Sequence, residues 1–106
     1  MNHEGEILKS AVEQRPVIGK TSHFNEAIDQ GYLNAAEQWM LDNKDKPNYD
    51  EGWLDDRSRD LFRAYRKKED WVAAKRMVEL ASDENGKAGR RQVLEAESGM
   101  SYDEIY

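Results

Sequence analysis

Apolar residues recur at spacings of three and four along most of this chain, which is the period of one helix face. Glu4 to Gln14 places Ile7, Leu8, Ala11 and Val12 on such a face. Pro16 ends the run, because proline has no amide donor and its ring clashes with the preceding turn. Residues 15–20 read as a loop with Gly19 as its flexible point. Thr21 or Ser22 is placed to cap a second helix carrying Phe24, Ala27 and Ile28, which Gly31 closes. A third helix from Tyr32 or Leu33 aligns Leu33, Ala36, Trp39 and Met40. The polar stretch DNKDKPNYDEG then holds Asn43, Pro47 and Gly52, which predicts a connector.

A fourth helix is predicted from about Trp53 to Lys68, with Leu54, Leu61, Phe62 and Tyr65 on its inner face. Asp55 and Asp56 fall early in it and Lys67 and Lys68 late, the order that suits the helix dipole. Asp70 is positioned to cap a fifth helix whose buried stripe is Trp71, Ala74, Met77, Val78 and Ala81. Gly86 marks the next break, and Lys87 to Ser98 makes a weak sixth helix around Ala88, Val93 and Leu94, stopped by Gly99. Ser101 and Glu104 have capping-box spacing. The expected fold is all-α: one domain over 1–106, five to six helices arranged as antiparallel hairpins in a small bundle or short solenoid. Its ends, about 1–4 and 99–106, are expected to fray.

Composition supports helix over sheet. The chain has ten Ala, twelve Glu and eight each of Lys and Arg, against only ten residues of Val, Ile and Thr together. Leu, Ile, Val and Phe number only 18 of 106, so the core is thin, and three Trp, five Tyr and four Met supply much of its bulk. The absence of cysteine excludes a disulfide framework, a thiolate metal site and a cysteine nucleophile. No apolar run is long enough to span a membrane, and MNHEGEILKS lacks the pattern of a signal peptide, so the expected location is cytoplasmic.

Two stretches align at an offset of 38 residues. Phe24 meets Phe62, Leu33 meets Trp71, Ala35 and Ala36 meet Ala73 and Ala74, Trp39 meets Met77, and Met40 meets Val78. Each copy reads as a helix, a tight turn and a second helix that opens with an apolar residue and an Ala pair. Small side chains there let two antiparallel helices approach closely. In the second copy, Leu61, Ala64, Tyr65, Asp70, Trp71, Ala74, Val78 and Ala81 fall in the pattern of a tetratricopeptide repeat, so residues 24–81 resemble that family. The departures are Glu69 where Gly is usual and the lack of a Pro after the second helix. The first copy keeps Gly31 and Ala36 but lacks much of the preceding helix signature, and it also resembles an ankyrin-like helix pair. The resemblance implies helical hairpins whose first helices line a concave, partner-binding surface.

Candidate chemistry is sparse. Gly19-Lys20-Thr21-Ser22 ends like a phosphate-binding loop, but the glycine required five residues before Gly19 is Gln14, and Pro16 stiffens the segment. Met1-Asn2-His3 offers amine, amide and imidazole nitrogens suited to square-planar Cu(II) or Ni(II), a property of any free terminus with His third. His23 has neither a cysteine nor a nearby second histidine for zinc and no placed nucleophile, so it reads as a surface residue near a helix cap. The carboxylate pairs Asp50/Glu51, Asp55/Asp56 and Glu69/Asp70 lack calcium-loop spacing. The expectation is a protein that is not an enzyme and has no metal, cofactor or small-molecule substrate.

The net charge is −6, which disfavours generic binding to nucleic acid or anionic membrane. Locally the balance reverses. From Arg57 to Arg76 there are eight basic and three acidic residues, and Arg59, Arg63 and Arg66 form one ridge of the fourth predicted helix. With Lys67 and Arg76 they make the candidate partner-binding set, suited to an acidic peptide or to phosphates. The plainer reading is a solvated face in which Asp55 pairs with Arg59 and Asp60 with Arg63. The leading expectation is a non-catalytic interaction module, an adaptor or regulator that binds a protein partner, with an acidic segment as the candidate contact. The alternatives are a nucleic-acid-associated protein using the basic strip, or a small acidic decoy of a DNA-handling complex acting through Asp55, Asp56 and Asp60.

Overall fold

Residues 18–47 and 49–106 are described by a computed structural model. Among them run five helices and no strand: α1 (Thr21–Asp29), α2 (Leu33–Asn43), α3 (Glu51–Lys67), α4 (Trp71–Val78) and α5 (Glu84–Ser98). A 3-10 turn follows at Tyr102–Glu104. The fold is the expected all-α bundle. The helix expected over Glu4–Gln14, fraying at 1–4 and the Met1-Asn2-His3 metal reading lie outside the described residues. No helix among the described residues is long and apolar enough to cross a membrane.

α1 packs on α2 and α3 on α4, each pair joined by a short turn, and α2, α3, α4 and α5 make successive contacts. The two turns share one hydrogen-bond pattern. Gln30, Gly31 and Tyr32 donate their backbone N–H to Glu26, Ile28 and Ala27 at 3.0, 3.0 and 2.8 Å. At an offset of 38 residues, Lys68, Glu69 and Asp70 donate to Ala64, Arg66 and Tyr65 at 3.3, 2.9 and 3.0 Å. Both are helix-terminating motifs that need a left-handed residue, supplied by Gly31 (φ +87) in one and Glu69 (φ +57) in the other. The shape of the turn is therefore kept where the glycine is not.

The core follows the aligned positions. Phe24 and Phe62, Ala36 and Ala74, and Met40 and Val78 are all buried. Leu61, Tyr65, Met77 and Leu94 complete the centre, while Trp39, Trp53, Leu54 and Trp71 pack around it only partly buried. Asp50 caps α3 by accepting from Trp53 N–H at 2.9 Å, and Asp70 caps α4 by accepting from Ala73 N–H at 3.2 Å.

Three local expectations are corrected. Neither Thr21 nor Ser22 caps α1; Lys20 is its N-cap without a side-chain bond, and His23 Nδ1 accepts from Gly19 N–H at 3.3 Å. Gly86 does not break the chain but lies in the first turn of α5, which Asp83 caps by accepting from Gly86 N–H at 2.7 Å. A Cβ at Gly86 would sit 3.1 Å from the Ala81 Cβ and 3.2 Å from Asp83 Oδ1, a tight fit that glycine relieves at the α4–α5 turn. The inner face of α5 is also shifted: Arg90 and Leu94 are buried, whereas Ala88 and Val93 are exposed.

The segment 99–106, expected to fray, is docked. Ile105 is 2% exposed, and its carbonyl accepts from Lys75 Nζ at 2.8 Å. Tyr102 lies between two cations, with Lys75 Nζ 4.6 Å and Arg91 Cζ 4.8 Å from its ring centroid. Its hydroxyl donates to Glu79 at 2.6 Å; burial and that carboxylate push its pKa up to about 12. The capping box at Ser101 and Glu104 is formed, the Ser101 N–H and hydroxyl both donating to Glu104 Oε1.

Candidate interaction surface

Three of the five candidate basic residues are engaged within the molecule. Arg59 reaches Asp55 at 2.6 Å and Asp56 at 3.6 Å on its own helix. Arg66 turns towards α5, where it donates two 3.0 Å bonds to Glu97, and its guanidinium lies 4.7 Å from the Phe62 ring centroid. The Arg66 bonds hold the Glu97 carboxyl below its usual range. Arg76 sits on α4, away from the ridge, and donates two 2.9 Å bonds to Glu37 of α2. Arg63 and Lys67 remain exposed and make no ion pair among the described residues. The pair expected between Asp60 and Arg63 does not form; Asp60 faces Arg57 at 3.8 Å instead.

These two cations stand on one wall of an open groove of about 660 Å³ between α1 and α3. They are four residues apart, hence ~6 Å along the helix axis. Ile28, Leu33 and Ala64 give the groove an apolar lining, and Asn25 contributes an amide from α1. Asp29 lies on the opposite wall, at the end of α1 where the helix dipole is negative. Lys68 spans the two turns by donating to the Gly31 carbonyl at 3.3 Å. The groove is therefore mixed in charge: Arg63 and Lys67 share the α3 wall with Asp60, Lys68 follows in the turn, and Asp29 lies at the end of α1. A smaller hollow of about 360 Å³ adjoins it, sharing Gly31 and Leu33.

Two buried polar clusters set the framework around the groove. Burial raises the pKa of Glu37, but the bonds from Arg76 and from Tyr65, whose hydroxyl donates at 2.6 Å, outweigh it and hold the carboxyl below its usual range. Burial and the neighbouring Glu37 push the Tyr65 phenol well above its ordinary value. On the other side of α3, buried Arg90 donates to Ser58 Oγ at 2.8 Å, Met77 O at 2.7 Å, and Asp55 O and Oδ1 at 2.9 and 3.2 Å. Asp55 also accepts from Ser82 N–H at 2.9 Å. Burial pushes the Asp55 carboxyl up, while the Ser82, Arg90 and Arg59 contacts pull it below its usual range. Neither cluster was singled out from the sequence. The only hints were a Glu immediately after the Ala pair and an Arg four residues before Leu94.

Among the described residues no group of three or more His, Asp or Glu side chains is placed to hold a metal ion. No family model, curated protein or solved structure matches the chain.

Proposed function

We propose that this chain is a non-catalytic helical interaction module, similar to a pair of tetratricopeptide repeats, that seats a protein partner in the groove between α1 and α3. The observation that carries this reading is the groove itself, where an apolar lining lies beside Arg63 and Lys67, two exposed cations without an ion pair among the described residues. The helical-repeat part draws support from the turn bonds that recur at 38 residues and from the buried pair Ala36 and Ala74. The other readings draw less. Against a nucleic acid stands the net charge of −6, which opposes a continuous phosphate backbone over the rest of the surface. An acidic decoy would need Asp55 free, and Asp55 is bound by Arg59, Arg90 and the Ser82 amide.

The test is affinity capture at moderate salt from an extract with and without nuclease treatment, using the immobilised chain and its Asn25→Trp variant. Asn25 is exposed, so a tryptophan there adds bulk to the groove without disturbing the core. A protein held by the parent and released by the variant is the expected outcome. Equal retention by both, or retention that disappears with nuclease, would overturn the reading.

A further inference from the structure

We infer that the occupant of the groove is an acidic peptide segment in extended conformation, with carboxylates on alternate residues. This rests on the reading of the groove as a partner site and adds the chemistry of what enters it. Arg63 and Lys67 present two cations ~6 Å apart along α3. In an extended chain, alternate side chains fall on one edge ~6.6 Å apart, so one carboxylate meets each cation. Arg63 offers a planar fork for a carboxylate, and Lys67 a rotatable ammonium. An apolar residue flanking the acids meets Ile28 and Ala64.

The match is one of sign and of spacing. Arg59, Arg66 and Arg76 already hold carboxylates of this chain, so the cations that line the groove without an ion pair among the described residues are Arg63, Lys67 and Lys68, the last donating to the Gly31 carbonyl. A nucleic acid is a poorer occupant, because a chain of net charge −6 repels a continuous phosphate backbone and the few groove cations neutralise little of it.

The test is an amide-shift titration of the isotope-labelled full chain with three peptides of about ten residues, identical except for an Asp-Leu-Asp, Asn-Leu-Asn or Lys-Leu-Lys centre, and with single-stranded DNA of similar length. The Asp peptide should shift the amides of Asn25, Ile28, Arg63 and Lys67 and bind at least ~10-fold more tightly than the Asn peptide. The double variant Arg63→Gln/Lys67→Gln should weaken the Asp peptide by ~10–100-fold while keeping the parent's melting temperature, since both side chains are exposed. Equal binding of Asp and Asn peptides, preference for the Lys peptide, or no loss in the double variant would overturn the acidic occupant. Stronger groove shifts with DNA would overturn it in favour of phosphate. Absence of groove shifts with every probe at millimolar concentration would overturn it too. In each case, continued capture of a protein by the parent but not by Asn25→Trp would show that the partner site itself stands.

Discussion

Between the two hairpins the fastening is a half-exposed arginine on a buried carboxylate, Arg76 on Glu37, with Tyr65 sharing the acceptor. Between the second hairpin and α5 the positions are exchanged, and the arginine is the buried partner. Arg90 is 7% exposed and uses four bonds to hold Ser58, the last turn of α4 and Asp55. A guanidinium that leaves water must find acceptors for its donors, and here the fold supplies them at 2.7 to 3.2 Å. At the first junction only the carboxylate is buried, and it has a second donor in reserve.

That difference predicts unequal costs. Arg90→Met should destabilise by ~3–5 kcal/mol, because it strips partners from a buried carbonyl, a buried hydroxyl and a carboxylate at once. Arg76→Met should cost less, ~1–3 kcal/mol, since Glu37 keeps the Tyr65 hydroxyl. Chemical denaturation of the two variants measures both. Equal losses would mean that the exposed arginine is as deeply committed as the buried one.

The hairpins themselves should respond alike. Ala36 and Ala74 are both fully buried at aligned positions, so Ala36→Leu and Ala74→Leu should each overpack and cost ~1–3 kcal/mol. A melting temperature that falls in one variant and not in the other would break the equivalence that the turn hydrogen bonds suggest.

The helices were legible wherever the signal was local. The apolar period placed α1 to α4 to within a few residues, and Asp70 announced its own cap. The Asp55–Arg59 pair follows from spacing alone, because residues four apart on a helix are neighbours. What the sequence could not display were partners brought together by packing. Glu37 and Arg76 are 39 residues apart, Arg66 and Glu97 31. The distant Glu97 takes Arg66 out of the basic ridge, so the ridge was visible and the loss of that member was not. α5 was misjudged for a related reason. Its inner face is built on an arginine, which a hydrophobic pattern scores as outside, and its first turn contains a glycine that leaves room for the neighbouring Ala81.

The smallest effect should come from the two turns. Gly31 and Glu69 hold the same left-handed position, at φ +87 and +57, but a side chain there crowds the following carbonyl and costs ~1–2 kcal/mol. Glu69→Gly removes that strain, though the more flexible unfolded chain takes part of it back. The net expectation is a gain of ~0.5–1 kcal/mol. Gly31→Ala should move the other way by ~1 kcal/mol or more. Its new Cβ would lie 3.0 Å from Lys68 Nζ, and moving that ammonium aside also sacrifices its bond to the Gly31 carbonyl. Opposite signs in thermal melts would show that the two turns are one motif carrying different residues. A loss on Glu69→Gly would instead mean that the glutamate side chain contributes something the left-handed geometry does not explain.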